Sequence, residues 1–181
     1  GSGPSGMKEI SLDGFSVYGI ELSPDNLHVT YTLNKYPDEA SPRTKMPDYV
    51  TKTGYTEIQN TRSKVGSQPS QSKLGILDLE KDSSYYLDVA DLPGILDAPD
   101  YFADYPDRNT KYEEPKSARL MGPYWSEDGK YGVMVAQSFD NKDRWIIQLD
   151  LAAGKAICLD HQHDEAWIGG PGVSYGGSLG W

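Results

Sequence analysis

Cysteine is nearly absent from the sequence, since Cys158 is the only one among 181 residues. This excludes an intrachain disulfide framework and a cysteine-rich zinc site, and it leaves the redox compartment and localisation unassigned. Basic residues are scarce too: 17 Lys and Arg stand against 27 Asp and Glu, a formal net charge of −10. That balance argues against nucleic acid and against an anionic membrane surface as partners.

Long hydrophobic runs are missing, because none approaches the roughly 20 residues that a membrane-spanning helix needs. Helical periodicity is almost absent as well. The 19 glycines and 12 prolines interrupt the chain, and the apolar stretches between them are short and rich in β-formers. Thirteen tyrosines and four tryptophans still supply the large side chains of a folded core. The sequence therefore predicts an all-β protein.

Seven segments have the length and composition of strands. They are Phe15–Leu22, His28–Leu33, Leu74–Leu79, Ser84–Val89, Tyr131–Gln137, Arg144–Leu149 and Ala156–Leu159.

Two parts of the chain repeat one pattern around these strands. The tetrapeptides Ser23-Pro24-Asp25-Asn26 and Ser126-Glu127-Asp128-Gly129 each precede a predicted strand, and their composition is typical of tight turns. Downstream of each, a strand ends in Leu-Asp-Leu, at 77–79 and at 149–151. Each part thus follows the order strand, turn, strand, loop, strand, turn, strand. This order predicts two four-stranded antiparallel β-propeller blades.

The predicted organisation has five parts. Gly1–Gly6 is typical of a cloning remnant, 8–90 is the first blade with a long polar insertion at 35–72, 91–117 is a connector, 118–168 is the second blade, and 169–181 begins a further blade. Two blades alone leave strand edges and apolar faces open. We therefore expect the chain to be a fragment that completes a ring by homo-oligomerisation.

Three segments of the sequence resemble a known family. They are PYWSEDGKY at 123–131, DRWII at 143–147 and HDEAWIGGPG at 163–172. They are similar to the N-terminal propeller of prolyl-oligopeptidase-family serine peptidases, with the dipeptidyl-peptidase-IV-like bacterial enzymes as the nearest branch. The resemblance implies a propeller that gates access to an α/β-hydrolase domain. It also implies a paired glutamate that holds a substrate amino terminus, for which Glu113-Glu114 is a candidate.

The catalytic apparatus of that family has no counterpart in this sequence, which contains no Gly-x-Ser-x-Gly motif. No catalytic or substrate-binding residue is assigned. The first hypothesis is therefore a propeller fragment of such a hydrolase, without serine peptidase activity. The second hypothesis is a self-assembling scaffold or interaction module.

The third hypothesis is a metal-dependent hydrolase of activated esters or phosphoesters. His161 and His163 follow a predicted strand, and if the strand continues they share one face. Together with Asp164 they would suit zinc or another divalent metal. The alternative is a solvated turn between blades, in which these side chains only cap backbone groups.

The four tryptophans allow two interpretations as well. They could form a platform for carbohydrate or peptide, or they could fill the space between blades, which the composition favours. They are Trp125, Trp145, Trp167 and Trp181.

Overall fold

The computed structural model describes residues 12–37, 43–63, 70–98, 104, 115–169, 179 and 181, apart from the side chain of Ser63. These ranges contain ten β-strands and no α-helix, and hence no helix suited to crossing a membrane. Neighbouring strands in each sheet are antiparallel, so the all-β prediction is confirmed. The strands are β1 (Ser16–Leu22), β2 (His28–Lys35), β3 (Arg43–Asp48), β4 (Glu57–Ser63), β5 (Gln71–Asp78), β6 (Ser83–Tyr86), β7 (Ala118–Trp125), β8 (Gly132–Ser138), β9 (Asp143–Asp150) and β10 (Lys155–His163).

The strands form three sheets. The first sheet has the order β1-β2-β5-β6, the second has the order β10-β9-β8-β7, and β3 pairs with β4 alone. The chain divides into a main unit, Gly1–Lys35 with Gln71–Trp181, and a hairpin unit, Tyr36–Ser70. Over the described ranges the strands close neither a barrel nor a complete propeller ring.

All seven predicted strands are present, with ends displaced by at most four residues. Three further strands, β3, β4 and β7, were not predicted. β7 contains Gly122-Pro123, a pair that normally interrupts a strand, and its pairing with β8 shifts between Met121 and Tyr124. The strand nevertheless continues through an irregularity and ends at the Ser126 turn.

The two predicted Ser-x-Asp turns occur, and they have the same internal hydrogen bonds. The Ser23 hydroxyl donates to the Asp25 carboxylate at 2.5 Å and accepts the backbone N–H of His28 at 3.0 Å. In the second turn, the Ser126 hydroxyl donates to Asp128 at 2.8 Å and accepts the N–H of Tyr131 at 3.0 Å. Both turns therefore satisfy the backbone donors at the start of the following strand segment.

A third turn of this type connects β8 to β9, and the sequence analysis missed it. The Ser138 hydroxyl bonds to the carboxylate of Asp140, and the N–H of Lys142 donates to Asp140 Oδ1 at 3.1 Å. Asn141 occupies the left-handed region, with φ 60°, as Asn26 does in the first turn. The signal was available in the sequence Ser138-Phe139-Asp140-Asn141.

The two four-stranded sheets of the main unit share one hydrophobic core. β5 contributes Leu74 and Ile76, and β9 contributes Trp145 and Ile147, all of which are at most 1% exposed. One hydrogen bond adds to this packing. Tyr85 donates its hydroxyl hydrogen to the carbonyl of Leu151 at 2.7 Å, which links β6 to the turn after β9.

The first two Ser-x-Asp turns also pack against each other, at Gly129. Its φ is +70°, and a β-carbon there would lie 2.5 Å from Asp25 N and 2.9 Å from Asp25 Cβ. Gly14 has a similar φ of +79°, but its nearest neighbour is the flexible end of Lys35, at 3.9 Å.

We expect Gly129→Ala to destabilise the protein clearly more than Gly14→Ala. Both variants force a side chain into the left-handed region, which costs about 1–2 kcal/mol, whereas only Gly129→Ala also displaces backbone. Urea unfolding of both variants and the parent measures the difference. Equal losses would show that the two turns do not press on each other.

Candidate functional site

The centre of the candidate site is the carboxylate of Asp143, the first residue of β9. The Ser138 turn places it there, because the backbone N–H of Asp143 donates to the Ser138 hydroxyl at 2.9 Å. The Asp143 side chain is only 1% exposed. A carboxylate buried to this extent needs donors or cations that replace its hydration.

Three basic side chains supply those donors. His161 Nε2 and His163 Nδ1 lie 3.0 and 2.7 Å from Asp143 Oδ1. Lys116 Nζ donates to Oδ2 at 2.7 Å, and its side chain is 11% exposed. Since an ionised carboxylate only accepts, His161 has a proton on Nε2 and His163 has one on Nδ1. We call these four residues the Asp143 cluster.

A β-bulge in β10 brings both histidines to this face. The pairing of β10 with β9 shifts between Cys158 and Asp160, after which His161 lies opposite Trp145 and His163 lies opposite Asp143. Directly opposed residues in an antiparallel pair share a face. The bulge therefore directs the two imidazoles to the core side of the sheet.

The imidazole of His161 also stacks on the indole of Trp145. The ring centroids are 5.3 Å apart and the planes differ by 4°. Trp145 Nε1 donates to the carbonyl of Pro93 at 2.8 Å, so the indole is fixed at its edge as well. This arrangement holds His161 in a single orientation.

The electrostatics of the cluster favour ionised side chains. Burial alone would raise the pKa of Asp143, but the hydrogen bonds from Lys116, His163 and His161 outweigh it and lower that pKa below 3.8. The hydrogen bond to Asp143 in turn raises the pKa of His163 above 6.5, against the small opposing effect of burial.

Asp164, the carboxylate predicted from the sequence to accompany the histidines, points elsewhere. Its Oδ1 accepts the backbone N–H groups of Ala166 and Trp167, both at 2.8 Å. These hydrogen bonds lower the pKa of Asp164, and the one from Trp167 has the larger effect. The structure thus brings His161 and His163 together as expected, and it places Asp143 beside them.

A divalent metal at this cluster stays a prediction. In the described ranges no group of three His, Cys, Asp or Glu residues has an arrangement that could hold a metal ion. Both imidazole nitrogens that face Asp143 Oδ1 need a proton for their hydrogen bonds, and a metal would have to displace those protons. Of the two imidazole nitrogens that do not face Asp143, His163 Nε2 lies 3.8 Å from Glu165 Oε1.

The other candidate residues have mixed outcomes. Trp145 is fully buried and Trp125 packs against the core, as the packing interpretation predicts. Trp167 and Trp181 are 70% and 65% exposed in the single chain, so packing between blades stays a prediction for these two. Glu113 and Glu114 lie outside the described residues.

The cluster can hold and exchange a proton, but it shows no nucleophile. Among the described residues, neither a hydroxyl nor a thiol hydrogen-bonds to either histidine. Covalent catalysis of the Ser–His type needs such a group within about 2.6–3.2 Å of the imidazole. The hydrogen bonds of the Asp143 cluster instead join β10, the β8–β9 turn and the segment at Lys116.

Comparisons with known proteins found little. No model of a protein family and no curated protein matches the chain. Among solved structures, the chain is similar to a "putative dipeptidyl aminopeptidase IV" from Bacteroides ovatus ATCC 8483, with 15% sequence identity and a TM-score of 0.46. The match covers 83% of this chain and 18% of that protein, so the chain spans less than a fifth of its length.

Removing the anion of the cluster should be costly. We expect Asp143→Asn to lower the free energy of unfolding by about 3–5 kcal/mol, because Lys116 stays buried without its counter-charge. The double variant with Lys116→Met should lose less than the sum of the single variants, as measured by a double-mutant cycle in urea.

The pair Lys155–Asp91 provides a matched control, since its N–O distance is also 2.7 Å but its side chains are 50% and 71% exposed. Its coupling energy should stay below about 1 kcal/mol. Equal coupling in the two pairs would contradict the assignment of Asp143 as a buried anchor.

The stability of the protein should depend on pH through His163. Its folded pKa is raised, so the stabilisation is fully present below the unfolded value of 6.5 and is lost as pH rises through the folded value. We expect the free energy of unfolding to fall as pH rises above about 6.5, and His163→Gln to flatten this slope. An unchanged slope in His163→Gln would refute the prediction.

Proposed function

We propose that the chain is a non-catalytic propeller segment of a prolyl-oligopeptidase-family hydrolase, and that it acts as a scaffold that assembles with copies of itself. The observation that carries the proposal is a structural repeat. Two four-stranded antiparallel sheets pack on one core, and in each a Ser-x-Asp turn follows the first strand and an aspartate turn follows the third.

The repeat extends to individual side chains. In the first sheet, Asp78 ends β5 and its Oδ1 accepts the N–H groups of Glu80 and Lys81 at 3.1 and 2.9 Å. In the second sheet, Asp150 ends β9 and accepts two N–H groups of the following turn at 3.1 and 3.0 Å. Both aspartates belong to the Leu-Asp-Leu pattern. Such repetition supports two equivalent blades.

Repeat architectures bury the faces of each unit against the next unit, so the terminal units retain exposed apolar residues. Here β1 exposes Tyr18, Ile20 and Leu22 by 48%, 72% and 49%. In the second sheet, the edge strand β10 exposes Ile157 and Leu159 by 43% and 53%. We call β1 and β10, which carry these five side chains, the terminal apolar strands.

A second copy of the chain is the partner we propose for these strands. Within one chain, the first sheet already packs on the second through an apolar core. The same order of sheets can continue from one copy to the next, and a closed ring would leave no terminal strands exposed. The non-catalytic role rests on the missing Gly-x-Ser-x-Gly motif.

The mass of the protein in solution tests this proposal. We expect light scattering at micromolar concentration to give a multiple of the 20.0 kDa chain mass, and Ile20→Lys with Leu159→Lys to give the monomer. Val50→Lys in the hairpin unit, at a site 93% exposed, is the control and should keep the multiple. A monomeric parent, or a double variant with unchanged mass, would refute self-assembly.

A further inference from the structure

A cleft of about 500 Å³ opens at the end of the main unit's core, beside the amino-terminal half of β5. Its volume lies within the range of about 300–1,000 Å³ that is usual for ligand sites. The deepest residues of its lining are apolar, and these are Leu74, Leu87, Leu92 and Ala136.

The cleft exists because two chain segments diverge. β6 pairs with β5 only from Gly75 to Asp78. Beyond it, the N–H of Asp88 donates to the carbonyl of Gly154 at 2.9 Å, and the carbonyl of Asp88 accepts the N–H of Ala156 at 2.8 Å. The chain thus leaves β5 to pair with the start of β10. We call the space between 71–74 and 86–89 the fork, and both segments line the cleft.

The fork leaves one edge of β5 open. The carbonyl of Leu74 accepts the N–H of Leu87 at 2.9 Å, so it faces away from β2 and toward the fork. Backbone groups of an antiparallel strand alternate in direction, and the N–H and C=O of Ser72 therefore face the fork too. In the described part of the chain, no strand pairs with Ser72 on that side. An open edge of this kind is a template for another strand.

The hydroxyl of Ser72 is a second, independent sign of a missing partner. Its oxygen is buried and, in the described ranges, has no hydrogen-bond partner. Ser72 lies two residues from Leu74 on the same face of β5, and it belongs to the lining of the cleft. Buried polar atoms without a partner are uncommon, because desolvation is not compensated.

We infer that the fork binds an extended peptide segment, which adds a strand to β5 at Ser72 and inserts one apolar side chain into the cleft. Strand addition uses main-chain hydrogen bonds for affinity and a pocket for one side chain in two. A small apolar molecule would fill the cleft but leave the open backbone groups of Ser72 unmatched. The charged residues of the lining are Lys73, Asp88 and Lys116, so the choice of a peptide rests on the open backbone edge and the apolar cleft and not on charge.

The test uses a blocked pentapeptide, acetyl-Lys-Val-Leu-Val-Lys-amide, titrated into the full chain by calorimetry. Two N-methylated versions accompany it, one methylated at both valines and one at the leucine. In an added strand, alternate N–H groups face the protein and the solvent. We expect one methylated version to bind at least tenfold more weakly and the other to bind like the parent. Equal binding by all three, loss of both methylated versions, or no binding of the parent would overturn the inference.

Two variants locate the binding site. Ala118→Phe should fill the cleft and weaken binding at least tenfold, whereas Ala152→Phe, in an exposed turn, is the matched control and should not. If Ala118→Phe does not fold, Ser72→Pro removes a single N–H that faces the fork and spares the ladder with β2. Ser72→Pro should also weaken binding at least tenfold. If Ala118→Phe or Ser72→Pro folds and binds the peptide with unchanged affinity, the inference is overturned.

Discussion

The buried carboxylate of Asp143 is the constraint on which this end of the main unit depends. An anion at 1% exposure is stable only while its hydrogen bonds remain, and those to the carboxylate come from two separate parts of the chain. Lys116 precedes β7, the histidines end β10, and the Ser138 turn holds the backbone of Asp143 itself. The backbone of Lys116 also donates to the carbonyl of Ile95 at 2.7 Å. One carboxylate therefore fixes where four segments meet.

The two four-stranded sheets are joined in a different way near β6, and the fork follows from that junction. Asp88 bonds through its backbone to the segment between β9 and β10, so the first sheet is joined to the second by main-chain hydrogen bonds. As a result β6 ends at Tyr86, and within the described ranges the first half of β5 has no paired strand on that side. The hydrogen bond from the Tyr85 hydroxyl to the Leu151 carbonyl lies just before the residue at which the chain leaves β5. The junction between the two sheets and the open edge of β5 therefore have one cause, because the chain leaves β5 after β6 and pairs with the start of β10.

Much of the fold could be predicted from sequence because its determinants are local. The alternation of apolar residues and the Ser-x-Asp turns specify β2, β8 and β9 without distant information. β3 and β4 show no such alternation, since the side chains described in β3 are almost all exposed. The carboxylate partner of the histidines could not be predicted either. Without the bulge after Cys158, His161 and His163 would share a face with Arg144, and Asp143 would lie on the other face. A one-residue irregularity decides the composition of the cluster, and composition alone does not show it.

The same geometry explains why two adjacent histidines do not by themselves indicate catalysis. A general base near neutral pH must spend much of its time unprotonated and must reach the proton it removes. Asp143 raises the pKa of His163, which favours the protonated imidazole, and it occupies Nδ1 of His163 and Nε2 of His161. The stacking of His161 on Trp145 further restricts its motion. The carboxylate therefore accounts for the juxtaposition of the two rings by a structural role alone, whereas the fork presents unmatched polar groups, the backbone edge and the hydroxyl of Ser72, to an open cleft.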